Sequence, residues 1–388
     1  MSSSKSDPLR FPELTRRGLL QAGMTGAAAG VIGSTALANA ALSKLKTRQI
    51  VMVAFAGGVR TRETLGNPSN VPNLAAMAKD GVAYMRTKTA NLGHFGATMS
   101  LFTGISEARG IRENARGNDP TLFEYVRKGL GLPASDVWIS TSGGAQQTNY
   151  SYGLHSDYGA QYGANVLDGD GIFNNEFKSL LKSWGRPKQM DEHELDLMHR
   201  MRAGIGSSGS DRQADESQVT VERYILQELT RGTSDLRGAN AADAKAMRVA
   251  RNLLTIFKPK LISVVLQSAD IAHNSFNAYS EIIRKNDAAL GELWQSIKQD
   301  PELADSTSIF VLPEFGRDSD LNSRRGLDHG DGSDDLNYVS TVCWGPDFRK
   351  GQEISETVRS IDVCATICDM FGVTARFARG KRLPRLMI

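Results

Sequence analysis

Apolar and polar positions alternate along the chain in two distinguishable ways. Continuous apolar runs mark strands buried on both faces, and helical periods mark the segments between them. "RQIVMVAFAGG", from Arg48, reads as a buried strand that ends at Gly57 and Gly58, where paired glycines allow a tight turn or a close approach of backbone to a ligand. A Pro-started helix over 71–81 follows, then a β-rich run over 82–90. The stretch "NLGHFGATMSLFTG" (91–104) reads as a loop entering a short helix of small residues. An amphipathic helix over 121–131 and a strand over 136–142 complete this first part. After residue 217 the pattern predicts helices over 219–231 and 241–257 and a β-branched strand over 260–268. A long helix over 277–299, a strand from 307 and a strand over 336–348 come next. A last helix over 355–372 is expected to be capped at Ser355 and closed by Gly372.

Strands that alternate with helices predict an α/β fold, a mostly parallel sheet with helices on both faces. Residues 143–216 break the pattern. They are rich in Gly, Asn, Gln and Tyr, with a Gly/Ser linker near 203–210, and read as an inserted cap between core segments 41–142 and 217–388. Its tyrosines at 150, 152, 158 and 162 suit either a sugar-binding surface or a loop with aromatic anchors.

Composition narrows the possible partners. The 388 residues carry 46 basic and 43 acidic side chains, a net charge of +3, with the basic residues scattered. No nucleic-acid groove or anionic-membrane patch is expected from that balance. The first forty residues differ from the rest: Arg16 and Arg17 precede a weakly apolar Gly/Ala run that ends in Ala38-Asn39-Ala40. This predicts a twin-arginine export signal over 1–40, cut after Ala40 and read by the twin-arginine export machinery. A periplasmic or secreted protein with no membrane segment after cleavage would result. The three cysteines, Cys343, Cys364 and Cys368, are an odd number and read as buried core thiols.

Candidate chemistry gathers where strands end, which is where open α/β sheets bind ligands. His94 follows the second strand. Asp270 and His273, in "QSADIAHNS", follow the 260–268 strand, and their spacing lets them share one face of a turn. Glu314 and Arg317 follow the 307 strand. Asp328 and His329, in "GLDHGDGSDD", precede the last strand. Three of the chain's six histidines occupy these positions; His155, His193 and His199 lie in the cap segment. Imidazoles and carboxylates from separate loops can surround one divalent ion, here zinc, calcium or manganese. Each group also has a plain structural reading: His94 as a helix-start residue, Glu314 with Arg317 as an ion pair, and the 328–335 run as a solvated acidic loop.

Four stretches, "FAGGVR", "GHFGATMSLFTG", "LPEFGRDSDLNSRRGLDHG" and "VRSIDVCATICDMFG" with "GKRLP" after it, resemble the alkaline phosphatase and sulfatase superfamily. The resemblance is closest to a branch of secreted bacterial sulfatase-like proteins with twin-arginine signals. It implies an alkaline-phosphatase-like fold over about 49–382 and hydrolysis of a small anionic ester, possibly sugar-linked. It also implies that the first metal aspartate of active members falls near Gly57 and their nucleophile at His94. Their Asp-x-x-x-His pair falls on Ala269 and His273, with Asp270 one place displaced. Their Asp-His pair falls on Glu314 and Phe315, and their last metal histidine on His329. One metal site is thus expected to be half kept, with the second site and the covalent nucleophile lost. His94 is left as a metal ligand, a general base or a nucleophile, and Arg317 as a bidentate grip on a substrate oxygen. The alternatives to a hydrolase are a non-catalytic binding protein of the same fold and a phosphomutase-type transferase.

Overall fold

The structure, a computed structural model, describes residues 45–106, 115–143, 149–168, 238 and 240–388. The signal segment over 1–40, the expected helix over 219–231 and most of the cap, including His193 and His199, lie outside the described residues. In order, the chain forms β1 (Gln49–Phe55), α1 (Pro72–Lys79), β2 (Val82–Lys88), α2 (His94–Thr103), α3 (Leu122–Leu130), β3 (Val137–Thr141) and β4 (Asn165–Asp168). It continues through α4 (Ala241–Phe257), β5 (Leu261–Leu266), a 3-10 turn (Ser268–His273), α5 (Phe276–Gln299), α6 (Pro301–Ala304) and β6 (Thr307–Pro313). The last elements are α7 (Asp334–Asn337), β7 (Tyr338–Trp344), β8 (Gln352–Ile354), β9 (Val358–Arg359) and α8 (Asp362–Met370).

The strands form one mixed sheet in the order β4-β3-β5-β1-β6-β7-β2-β8, with β9 also on β2. From β4 to β6 all pairings are parallel. Strand β7 runs antiparallel to both β6 and β2. The carboxyl ends of β1, β5, β6 and β2 and the start of β7 therefore share one edge of the sheet, and the candidate residues gather there. Both faces are covered, which is why the central strands are apolar at nearly every position. Val51, Val53 and Phe55 of β1 pack with Ile262, Val264 and Leu266 of β5 into a core completed by Leu74, Leu253, Ile283 and Leu290 of the helices. The alternate positions Ile50, Met52 and Ala54 are equally buried. Each fully buried side chain of this kind contributes roughly 1.5–3 kcal/mol. Helices α2, α3 and α8 pack on one another, through the Phe102 and Phe123 rings at 4.9 Å and the Cys364 thiol against the Phe102 carbonyl.

Local signals explain the element ends. Helix α3 begins with a reciprocal capping box of Thr121 and Glu124 and stops at Gly131, φ +63°. Pro72 opens α1, whose first amides donate to the buried Asp287 carboxylate of α5. Two expectations need correction. The last helix does not start at Ser355: residues 352–354 and 358–359 pair with β2, and α8 begins only at Asp362, whose carboxylate accepts the Arg359 amide. The exposed edge of β2 needs hydrogen-bond partners, and that demand overrides a helical pattern. Residues 165–168, expected in the cap, are the edge strand β4 of the core sheet. Tyr150 of the same segment is buried and stacks on Phe95 at 5.1 Å.

Cys343, Cys364 and Cys368 are buried free thiols, the last two one turn apart on α8. Among the described residues no helix is long and apolar enough to cross a membrane.

Candidate metal centre

The turn after β1 sets the geometry. A Cβ on Gly57 would lie 2.5 Å from the Asp270 amide nitrogen, and Gly58 has φ +66°. Only glycine lets this backbone nestle against the 267–270 turn. The space exposes the Gly57 and Gly58 carbonyls to Arg317, which is completely buried. Its Nη2 donates to Gly57 O at 2.5 Å and to Asp270 Oδ1 at 2.6 Å. Nη1 donates to His273 Nε2 at 3.0 Å and Leu327 O at 3.3 Å, and Nε to Gly58 O at 3.4 Å. A guanidinium has five N–H donors, and all five point at protein acceptors. The expected bidentate grip on a substrate oxygen is therefore corrected: Arg317 ties β1, the Asp270 turn and the 317–327 loop together and has no donor left for a ligand.

His94 is the first residue of α2, after the extended Gly93. Its Nδ1 lies 2.5 Å from Glu314 Oε1, and the other Glu314 oxygen accepts the Thr98 hydroxyl at 2.6 Å. His94 Nε2 is 3.0 Å from Asp270 Oδ1 but out of line for a hydrogen bond, so this buried nitrogen has no hydrogen-bond partner. His273 repeats the arrangement, with Nδ1 2.7 Å from Asp328 Oδ1 and Nε2 3.4 Å from Asp270 Oδ1. The His329 ring stands 5.0 Å from each of the other two imidazoles, edge-on, and 5.1 Å from the buried Phe315 ring. Ring nitrogens of His94, His273 and His329 all fall within 4.8 Å of one another.

Charge sets a condition on the geometry: without an ion His94 keeps both ring protons at neutral pH, and its Nε2 can ligate only by releasing one. Burial disfavours a proton on His94, but the Glu314 charge and the nearby Asp270 outweigh it and push His94 up to about 10. Burial also pushes the Glu314 carboxyl up, against the opposing pull of His94, Thr98 and Arg317. Asp270 is held well below the usual carboxylate range: His94 and Arg317 together overcome the penalty of its burial. His329 goes the other way, lowered by burial and by the positive His94 and Arg317 beside it. It is neutral at pH 7, the form that ligates metal.

The donor set suits a metal ion. In metal sites a ligating imidazole characteristically gives its second nitrogen to a carboxylate, which fixes the ring and raises its basicity. Glu314 does this for His94 and Asp328 for His273; His94 Nε2 has no hydrogen-bond partner, whereas His273 Nε2 accepts from Arg317 Nη1 and would exchange that donor for an ion. This relocates two expected ligands. The oxygens of Glu314 are taken by His94 and Thr98, and the Asp328 oxygen facing the site by His273 and Arg324. They stand behind the imidazoles rather than among the donors. Asp270 stays within reach of the shared point. The rest of the acidic loop is bound to its own backbone: Asp318 accepts the Gly330 and Asp331 amides, and Asp331 those of Ser319 and Ser333.

Sequence reasoning missed three contributors. Asp243, buried in the first turn of α4, accepts the Gln267 and Ser268 amides and the Asn286 side chain, and so holds the turn that carries Asp270 and His273. Thr98 lies one helical turn after His94, a spacing that is a usable signal. Tyr150, which the sequence offers only as one of the cap-segment tyrosines, reaches Gln267 Nε2 at 3.3 Å; nothing local in the sequence marks Asp243. A 490 Å3 cavity lined by Met247, Arg251 and Lys285 and a 260 Å3 one lined by Leu65 and Met85 involve none of these groups.

Compared with known proteins, the sequence matches no family model and no curated protein. Solved structures do match in shape. Wild-type alkaline phosphatase PafA covers 88% of this chain and 99% of its own, at TM-score 0.57 and 9% identity. The 2-O GAG sulfatase BT1596 covers 87% and 73%, at 0.54 and 10%. The phosphonate monoester hydrolase SpPMH from Silicibacter pomeroyi covers 87% and 75%, at 0.51 and 13%. At these identities the likeness is one of fold, and the chain has the fold of the alkaline phosphatase superfamily.

Proposed function

We propose that the protein is an exported metal-dependent hydrolase of phosphate or sulfate esters, working from a single metal site formed by His94, His273 and His329 with Asp270 beside them. The observation that carries this reading is the convergence of three ring nitrogens within 4.8 Å, two of the rings backed by carboxylates at Nδ1. Three imidazoles favour zinc or a similar transition ion over calcium or magnesium, which take oxygen ligands. A divalent ion held there supplies Lewis acidity toward an ester oxygen or a water. The protein's own part is separable. Glu314 holds the His94 proton at Nδ1, Asp270 offers a carboxylate oxygen at the shared point, and Phe315 closes the floor against water. Solved structures of similar fold include a phosphatase, a phosphonate monoester hydrolase and a GAG sulfatase, which supports an anionic ester as substrate. The paired Arg16 and Arg17 support export through the twin-arginine route.

The test is metal analysis of the purified protein, followed by turnover of chromogenic phosphate and sulfate esters with and without chelator. Stoichiometric metal with chelator-sensitive turnover is expected, and His273→Ala should lose both. Activity that survives His273→Ala rejects the site. A second reading, a non-catalytic binding protein, draws on Gly57: no side chain fits there, so the first-strand aspartate that the resemblance implies for active relatives has no place. Bound metal without turnover on any ester would favour it.

A further inference from the structure

We propose that Arg324 forms, at the rim of the histidine cluster, a subsite for a second oxyanion of the substrate, so that the preferred ester carries a negative group beyond the one that is cleaved. The inference rests on the hydrolase reading and names its substrate class.

Arg317, the arginine nearest the shared point, has no donor to spare. Arg324 does. Its side chain is 57% exposed, and Nη2 meets Asp328 Oδ1 at 3.1 Å. Among the described residues its other N–H donors have no protein acceptor. The Asp328 oxygen it touches is the one that takes His273 Nδ1. One carboxylate and one imidazole ring therefore separate the free guanidinium from the point where the reacting group would sit. That is too far to hold the same anion and suits a second one on the same small molecule.

The loop that carries Arg324 is fixed rather than loose. Asn322 Oδ1 accepts the Arg324 and Gly326 amides, and Arg325 N donates to Asn322 O. Asn322 Nδ2 donates to His273 O, Leu327 N to Ala272 O, and Phe276 N to Arg325 O. A Cβ on Gly326 would lie 2.3 Å from the Ala272 carbonyl, so the turn lies flush against the segment bearing His273. Arg325 takes φ +62°, a conformation rare for any residue but glycine, asparagine or aspartate. The backbone that carries Arg324 is thus held at a defined place beside His273. The neighbouring acids are already engaged, Asp328 with Arg324 itself through one of its donors. Asp318 and Asp331 are bound to backbone amides, Asp334 pairs with Arg86, and Asp335 pairs with Arg62. A free guanidinium with coplanar donors is suited to a carboxylate, phosphate or sulfate.

The experiment uses the metal-loaded protein and two pairs of esters, 4-nitrophenyl phosphate and 4-nitrophenyl sulfate, each with and without a carboxylate on the aryl ring. The phosphate and sulfate arms identify the reacting group, and the carboxylate reports the subsite. The carboxylated ester should win by roughly tenfold or more in kcat/KM, mainly through KM, with an advantage that shrinks as salt rises. R324Q should bring the ratio near one, and R324K should keep part of it. A ratio near one in the unaltered protein, or one unchanged in R324Q, overturns the proposal and leaves the hydrolase reading standing. Loss of bound metal in R324Q that slows both esters equally would make Arg324 a mere support for His273 and also overturns it. Turnover of none of the four esters removes both readings together.

Discussion

The two carboxylate–histidine pairs of the site are built alike and situated differently. His94 leans on Glu314, whose side chain is wholly buried, at 2.5 Å; His273 leans on Asp328, whose side chain is 41% exposed, at 2.7 Å. The first pair joins two elements far apart in sequence, the start of α2 and the end of β6. The second is formed between loops in contact with water. Similar distances thus carry different consequences. Burial keeps Glu314 from being solvated by anything but His94 and Thr98, and the pair becomes a fixed charge that titrates far from neutrality. Solvent around Asp328 weakens its hold on His273, whose ring is also held at Nε2 by the buried Arg317.

The contrast is sharpest under substitution. Glu314→Gln keeps the shape but strands the charge on His94, and breaking a buried pair costs about 3–5 kcal/mol. Asp328→Asn should cost no more than about 1 kcal/mol, as exposed pairs do. Denaturant midpoints of the two metal-free variants measure this, and equal losses would break the comparison. Metal affinity should fall in both, by about 10–100-fold for loss of such a partner.

A smaller effect comes with pH. Because His94 is raised to about 10, its contribution to stability is fully present below the ordinary histidine value and is lost as pH climbs through the folded one. Thermal midpoints of the metal-free protein should therefore decline between neutral and strongly alkaline pH, and the decline should flatten in Glu314→Gln. Asp270 works with the opposite sign: its lowered value gives stability above the ordinary aspartate range that is lost in acid. A midpoint independent of pH between 7 and 10 would remove the buried ion pair from the account.

The smallest effect expected is that of Tyr150→Phe, which keeps the stack on Phe95 and deletes one hydroxyl bonded to Gln267. About 0.5–1.5 kcal/mol is the usual net value of such a bond. Calorimetry on the variant would measure it, and no change at all would detach the 149–168 segment from the His94 side of the site.

Much of this arrangement can be read from the chain. Apolar runs locate β1, β5, β6 and β7, because a strand covered on both faces has no room for polar side chains. The glycine pair after β1 and the histidines past the strand ends stand out for the same reason that they matter: little else polar belongs there. What spacing cannot give is which nitrogen of an imidazole a carboxylate meets. Glu314 and Asp328 look like ligands in the sequence because they lie at strand ends beside histidines. Only the fold shows them facing Nδ1, behind the rings. Arg317 looks free for the same reason, since three of its acceptors are the backbone carbonyls of Gly57, Gly58 and Leu327, which leave no mark on a sequence. The β9 residues read as part of a helix because nothing in them announces that the edge of β2 lies open.

The three sequestered thiols have a consequence of their own. No part of the described packing waits on an oxidant, since Cys343, Cys364 and Cys368 serve as small apolar side chains and each is enclosed without a sulfur–sulfur bond. The polypeptide can complete its interior in a reducing cytosol. The export proposed above would then move a molecule that has no accessible thiol to oxidise.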